Sequence, residues 1–319
     1  MLSPSRSSWI IKGEMKRTTI FTLGAVFGLG LLLLALSACS EPAAPVEETV
    51  DQAAAETVQG SFHGKLGLQL YSLRADFAKD VPGTLAKVRD YGIELVELAG
   101  TYQYTPAEFK NLLDQYGLRA VAGHFPYERL RDDVEGLAQD AITLGLQYVG
   151  VASIPHRGGF DEQTAREAVK LFNTQGEALA KHGLKFYYHQ HGFEFVPYEN
   201  GTLMDLLIRE TNPEHVSFQM DLLWTVFPGQ DPVVWLQKYP DRWRLMHLKD
   251  LNKGVKVPST LEEFKPGYDV VLGTGQVDMP AVLRVAQEIG IEYYFIEDEA
   301  PEAADRIPQS LRYLQQVRF

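Results

Sequence analysis

Gly183-Leu184-Lys185-Phe186-Tyr187-Tyr188-His189-Gln190-His191-Gly192-Phe193-Glu194-Phe195 decides how this chain folds. A glycine, the usual stop at a helix C-terminus, feeds a short β-prone run that closes on a residue able to bind a metal. The same ending recurs downstream, in Val216-Ser217-Phe218-Gln219-Met220-Asp221, Arg244-Leu245-Met246-His247 and Tyr293-Tyr294-Phe295-Ile296-Glu297. The intervals are long and irregular, unlike those of a zinc finger or knuckle. Four strand ends converge only where the strands lie side by side and parallel. In a closed parallel barrel those ends form one rim, and active sites sit there. Two imidazoles and two carboxylates on one rim, His189, Asp221, His247 and Glu297, suit one divalent cation such as Mn²⁺, Zn²⁺, Co²⁺ or Mg²⁺.

Outward from this stretch, short apolar runs alternate with amphipathic ones, as in βα units built on a parallel sheet. The strand candidates are 66–71, 93–98, 119–122, 148–152, 185–189, 216–220, 245–248 and 293–296. Helix candidates fall between them at 84–91, 106–116, 131–144, 162–182, 203–209, 232–238 and 280–289, and a last one at 307–317 closes the set. Gly92, Gly117, Gly183 and Gly290 each separate a helix from the next strand. With no internal linker or repeat, a single α/β domain over residues 63–319 is expected. That length is typical of one eight-stranded parallel barrel.

The N-terminal part reads differently. Lys12, Lys16 and Arg17 precede an apolar stretch from Ile20 to Leu36, which ends Leu36-Ser37-Ala38-Cys39. A basic region, an apolar region and small residues before a cut describe a secretory signal. The last four residues resemble the bacterial lipoprotein box, in which the cysteine carries the lipid. The expectation is a leader over 1–39 and lipidation at Cys39. A flexible tether rich in Ala, Glu, Pro, Thr and Gln follows over 40–62. The protein is then exported and held to a bacterial membrane by its lipid, facing the periplasm or the outside. The chain carries a net charge of −12, and the leader contributes +3 of positive charge against it. No basic stripe is present, so nucleic acid is not an expected partner. Cys39 is the single cysteine, so no intramolecular disulfide forms.

Tyr188-His189-Gln190-His191-Gly192-Phe193-Glu194-Phe195, Met220-Asp221, His247-Leu248-Lys249-Asp250, Gly273-Thr274-Gly275-Gln276-Val277-Asp278 and Glu297-Asp298 together resemble the sugar phosphate isomerase/epimerase family of xylose isomerase-like TIM barrels. The likeness spans essentially all of 65–319. It implies a (β/α)8 TIM barrel with one divalent metal on the C-terminal rim, held by Glu, Asp, His and Glu from the last four strands. Carried onto this sequence, the last three are Asp221, His247 and Glu297, and the first is His189. A histidine at that first position looks more like the branch that includes inosose dehydratases. A neutral imidazole holds a metal but is a weak mimic of a carboxylate base.

Each residue also has a plainer reading. His189 and His191 share a face if both lie in strand, as a core pair or as ligand and substrate contact. Asp221 is either a ligand or a helix N-cap. Lys249 either polarises a carbonyl and moves a proton or only pairs with Asp250 or Glu299. Glu97 and His124, ending the second and third strands, are candidates for binding substrate hydroxyls, and Gln69 and Tyr71 at the end of the first strand and Trp224 after Asp221 are candidates for lining the pocket; simple packing or surface exposure is the plainer reading of each. Arg157-Gly158-Gly159 is too weak a phosphate signal against the acidic balance. The expected function is a metal-dependent sugar or cyclitol isomerase or epimerase. It removes a proton beside the carbonyl of a keto-sugar, with Glu297 and Lys249 as the catalytic residues. The alternatives are a lyase or dehydratase on a keto-sugar or keto-cyclitol, and a non-catalytic sugar-binding lipoprotein.

Overall fold

The computed structural model describes residues 60–256, 265 and 267–319. The expected leader, Cys39 and nearly all of the tether lie outside the described residues. Eight parallel strands close into a barrel: β1 (Leu66–Gln69), β2 (Leu95–Leu98), β3 (Arg119–His124), β4 (Tyr148–Val151), β5 (Lys185–His189), β6 (Val216–Asp221), β7 (Trp243–Leu248) and β8 (Tyr293–Ile296). Each pairs with its neighbours in sequence, and β1 closes the ring on β8. This is the expected TIM barrel.

The outer ring is α1 (Val81–Asp90), α2 (Pro106–Gln115), α3 (Val134–Leu144), α4 (Glu162–Lys181), α5 (Leu203–Glu210), α6 (Pro232–Lys238), α7 (Met279–Glu288) and α8 (Ala303–Gln316). Local chemistry sets their ends. Asp80, Thr105, Asp161, Thr202, Asp231 and Asp278 each cap an N-terminus by accepting from a backbone N–H. At the far end of α4, Gly183 takes the left-handed backbone that turns the chain into β5 (φ 76°). The last helix starts earlier than the sequence pattern indicates, at Ala303, and runs through Pro308. A proline lacks the N–H that would bond the carbonyl four residues back. Here the hydroxyl of Tyr91 donates to that carbonyl, Ala304 O, at 2.8 Å.

Side chains that point out of the barrel, among them Phe186 and Met246, pack against helix side chains such as Phe109, Leu113, Phe172 and Leu283. Burying each such side chain is worth about 1.5–3 kcal/mol. The barrel interior is filled by Ala122, Tyr148, Tyr187, Leu245, Tyr293 and Phe295. Gly150 on β4 makes room there, because a Cβ would lie 2.2 Å from the Tyr187 ring. Tyr187 therefore crosses the barrel and its hydroxyl reaches β2.

Candidate metal centre and its pocket

Side chains two apart on a strand share a face, so the residues just above the apolar layer form the next layer up. That layer is polar. Glu97, at 0% exposure, lies at its centre. Its Oε1 accepts from Tyr187 Oη (2.5 Å) and Gln219 Nε2 (2.8 Å). Its Oε2 accepts from Gln69 Nε2 (2.8 Å) and from His247 Nε2. Gln219 Oε1 accepts in turn from His189 Nδ1 (2.8 Å) and His124 Nε2 (3.1 Å). The strand register slips at Val96/Glu97 and at Phe218/Gln219, where irregular pairing aims both side chains inward.

Asp221 ends β6. Its Oδ1 caps the short helix Leu222–Val226 by accepting from Trp224 N at 2.9 Å. Its Oδ2 is buried and has no hydrogen-bond partner. Around that oxygen lie Lys249 Nζ at 3.6 Å, His247 Nδ1 at 3.7 Å and His189 Nε2 at 3.9 Å. Glu297 Oε2 accepts from His247 Nδ1 at 3.0 Å. One ligand atom each from Asp221, His247 and Glu297 fall within 4.8 Å of one another, and so do those of His124, His189 and His247. An orphaned buried carboxylate oxygen is costly without a cation. With neutral His189 beside it, this donor set fits one divalent ion.

Lys249, at 1% exposure, sits behind the centre. Its Nζ lies 2.5 Å from Glu299 Oε1, 3.2 Å from Glu297 Oε2 and 4.0 Å from Asp269 Oδ1. It does not pair with Asp250, whose carboxylate accepts from the backbone of Leu251, Gly273, Gly275 and Val277 and so pins that loop. Asp269 is wholly buried, and neither of its oxygens has a hydrogen-bond partner. Burial pushes the Asp269 carboxyl up to about 7, and the carboxylates of Glu97, Asp221, Glu297 and Glu299 stand around only two cationic side chains, His247 and Lys249, a second reason for a cation to enter.

The strand β5 stops at His189, and His191 leaves it for the loop. Glu194 holds that loop by accepting from His191 N (2.9 Å) and from Tyr188 Oη (2.5 Å). The His191 ring lies 5.2 Å from Trp224 and helps to line a pocket of about 480 Å³ above the centre. His124, His189, Trp224, Glu297 and Glu299 also line it. Gln69, Glu97 and Lys249 lie beneath it and are not among its lining. Arg157, Gly158 and Gly159 are exposed and outside it.

The charges follow from these contacts. Burial pushes the Glu97 carboxyl up, but the imidazoles of His124 and His247 and the bonds from His247 and Tyr187 outweigh it, and its pKa falls to about 2. Burial works against a charged His247, yet Glu97 and Glu297 hold it well above the usual imidazole range. Both its nitrogens face carboxylates, so it is an imidazolium. Burial lowers His124 against the pull of Glu97, and its Nε2–H goes to Gln219 Oε1. Burial, with His247 and His191 nearby, takes His189 far down. Its Nδ1–H goes to Gln219, which leaves the Nε2 lone pair facing Asp221. Burial likewise opposes a charged Lys249, but Asp221, Glu297, Glu299 and Asp269 keep it an ammonium. Burial raises Glu297 as well, and Lys249 and His247 outweigh that and hold it ionised.

Residues 85–317 match the sequence profile of xylose isomerase-like TIM barrels. The chain belongs to that family. Inosose dehydratase of Clostridium tetani is 29% identical over 155 residues, 47% of this chain and 51% of that protein. The match thus spans about half the length of that relative. Inosose dehydratase of Lacticaseibacillus casei is 24% identical over 243 residues, 68% of this chain and 81% of that protein. The crystal structure of a sugar phosphate isomerase/epimerase from Parabacteroides distasonis superposes with a TM-score of 0.65 at 26% identity, covering 81% of this chain and 98% of that one. Within this xylose isomerase-like barrel, the sequence reading passed over Tyr187 and Gln219. A signal for both existed: each lies two residues before a candidate ligand, His189 or Asp221, and so shares its face. Asp269, far from any barrel strand end, carried no such signal.

Proposed function

We propose that this xylose isomerase-like barrel is a divalent-metal-dependent enzyme that removes a proton beside the carbonyl of a keto-sugar or keto-cyclitol. The observation that carries this is Asp221 Oδ2, buried without a partner and faced by His247, His189 and Lys249 beside Glu297. Asp221, His247, Glu297 and His189 would hold the ion. When bound, a divalent cation supplies Lewis acidity toward a carbonyl and a neighbouring hydroxyl. Glu297, ionised and at the pocket wall, is the group placed to take the α-proton. Lys249 is an ammonium and therefore gives protons rather than taking them. It reaches the pocket through Glu299, which lines the wall 2.5 Å from Nζ. His191, His124 and Trp224 orient the ring, and Glu97 and Gln69 fix the floor beneath it.

Reprotonation after this step gives isomerisation or epimerisation. Loss of a β-hydroxyl as water, its proton supplied through the Lys249–Glu299 pair, gives a dehydratase. Two observations favour elimination: an imidazole stands on β5 where a second carboxylate base would be needed, and curated relatives are named inosose dehydratases. The test is metal analysis of the purified protein together with a screen of inosose and keto-sugars for solvent deuterium uptake and loss of water. Lys249→Ala is expected to cut turnover by about 10²–10⁴-fold while the metal stays bound. Tight binding across the panel with no exchange and no product under any divalent metal would establish a sugar-binding protein instead. We also propose export with lipid attached at Cys39. Cys39→Ala then abolishes acyl labelling and releases the barrel from the membrane fraction, and unchanged retention would point to another anchor.

A further inference from the structure

The pocket above the centre has two unlike ends. Its buried end carries the polar His189, and the exposed Tyr71 and Pro126, with the half-buried Phe125 and Trp224, make its mouth. None of its described lining residues is Lys or Arg, whereas Glu297 and Glu299 both face it. A phosphate ester would therefore enter past two carboxylates with no cation in the wall to meet it. Recognition of phosphate ordinarily relies on Arg forks, Lys or helix N-termini. The nearby Arg74 is committed elsewhere: its guanidinium donates to Tyr71 O at 3.1 Å and Glu299 O at 2.7 Å.

Tyr71 is the second observation. It is 43% exposed and one of only three large exposed hydrophobic side chains among the described residues. The other two, Ile142 and Val234, lie outside the pocket lining. The Tyr71 ring is held in place. The Arg74 guanidinium covers one face at 4.4 Å, and Gln69 Oε1 accepts from Tyr71 N at 3.1 Å. An aromatic ring backed by a guanidinium and 43% exposed, in the lining of a pocket, is a stacking platform. The volume agrees. About 480 Å³ equals roughly 16 waters at ~30 Å³ each, more than the dozen heavy atoms of one hexose need.

We propose that the substrate is an uncharged keto-sugar or keto-cyclitol joined to a flat apolar group, with the polar ring on the histidine floor and the apolar group stacked on Tyr71, and that phosphorylated sugars are excluded. This rests on the reading of the floor as a site for keto-sugars.

The experiment measures Kd by calorimetry, on the purified full chain with Mn²⁺ present, for three probes: a keto-hexose, its phosphate monoester and its nitrophenyl glycoside. The glycoside should bind about 3–10-fold more tightly than the free keto-hexose, the range of one aromatic contact. The phosphate ester should bind at least tenfold more weakly than the free sugar. In Tyr71→Ala the ratio of the glycoside and keto-hexose constants should collapse toward one, and Tyr71→Phe should restore it. A phosphate ester that binds best, a ratio unmoved by Tyr71→Ala, or no binding of any probe overturns the proposal. Deuterium exchange of the same keto-hexose is read in parallel. Exchange with the wrong ranking removes this inference alone, and the right ranking without exchange removes only the enzymatic reading.

Discussion

Glu97→Gln tests whether the polar layer is held by a charge at its centre. The carboxylate accepts from four donors, Tyr187, Gln219, Gln69 and His247, two on each oxygen. An amide NH₂ in place of either oxygen meets two of those donors, and the His247 imidazolium keeps only Glu297 of its two close counter-charges. The carboxyl titrates at about 2 instead of 4.5, a gap equivalent to ~3 kcal/mol of preference for the ionised form. Removing one partner of a buried pair costs about 3–5 kcal/mol, so both routes give the same range. Urea unfolding at pH 7 should show a midpoint lower by roughly 1–2 M with an unchanged slope. The pH dependence carries a sign. A carboxyl lowered by folding contributes stability that is full above 4.5 and is lost as pH falls toward about 2. The gap between wild type and variant should therefore narrow between pH 7 and pH 3. A loss below about 1 kcal/mol at pH 7, or a gap that pH does not change, would refute the argument.

Three further outcomes are expected. Asp221→Asn keeps the cap on Trp224 N but removes the orphaned oxygen, so it should abolish most of the metal-dependent rise in stability, ~2.7 kcal/mol for wild type at 100 times Kd; a thermal melt with and without Mn²⁺ reads this. Because contacts with Glu97 and Glu297 keep His247 protonated well above the usual range, with burial opposing, metal binding near neutral pH should release about one proton and tighten as pH rises, by up to about tenfold per pH unit. Calorimetry in buffers of different ionisation enthalpy measures that proton, and its absence would remove His247 from the ligand set. Burial pushes Glu194 up to about 7, so its contribution to stability falls as pH rises from about 4.5 to about 7. Glu194→Gln should flatten the dependence of urea stability between pH 5 and pH 8, and an unaltered slope would show that Glu194 is ionised throughout.

Much of the barrel was legible because its signals are local. Helix and strand differ in apolar period, and a glycine after a helix or an aspartate before one acts over three or four residues. These cues located all eight strands and the surrounding helices to within a few residues, and they put His189, Asp221, His247 and Glu297 at parallel strand ends. The misplacements are equally physical. The sequence extends the first strand to Tyr71, but Gln69 accepts from Tyr71 N and bends Leu70–Leu73 into a 3-10 turn. That bend sets the Tyr71 ring at the pocket mouth.

What the sequence by itself determined is the strand order, the rim and the kinds of side chain at the strand ends, since each follows from residues close together in the chain. Tertiary structure alone decided how those groups share their protons. Gly150 leaves space for Tyr187 to reach Glu97, and Gln219 ties His124 and His189 to the same carboxylate. Lys249 could be read from the sequence as a base or as half of an ion pair. It became an ammonium because Asp221, Glu297, Glu299 and Asp269, which lie 20 or more positions away along the chain, converge on its Nζ. Electrostatic energy depends on distance and burial, and neither is set until the barrel closes.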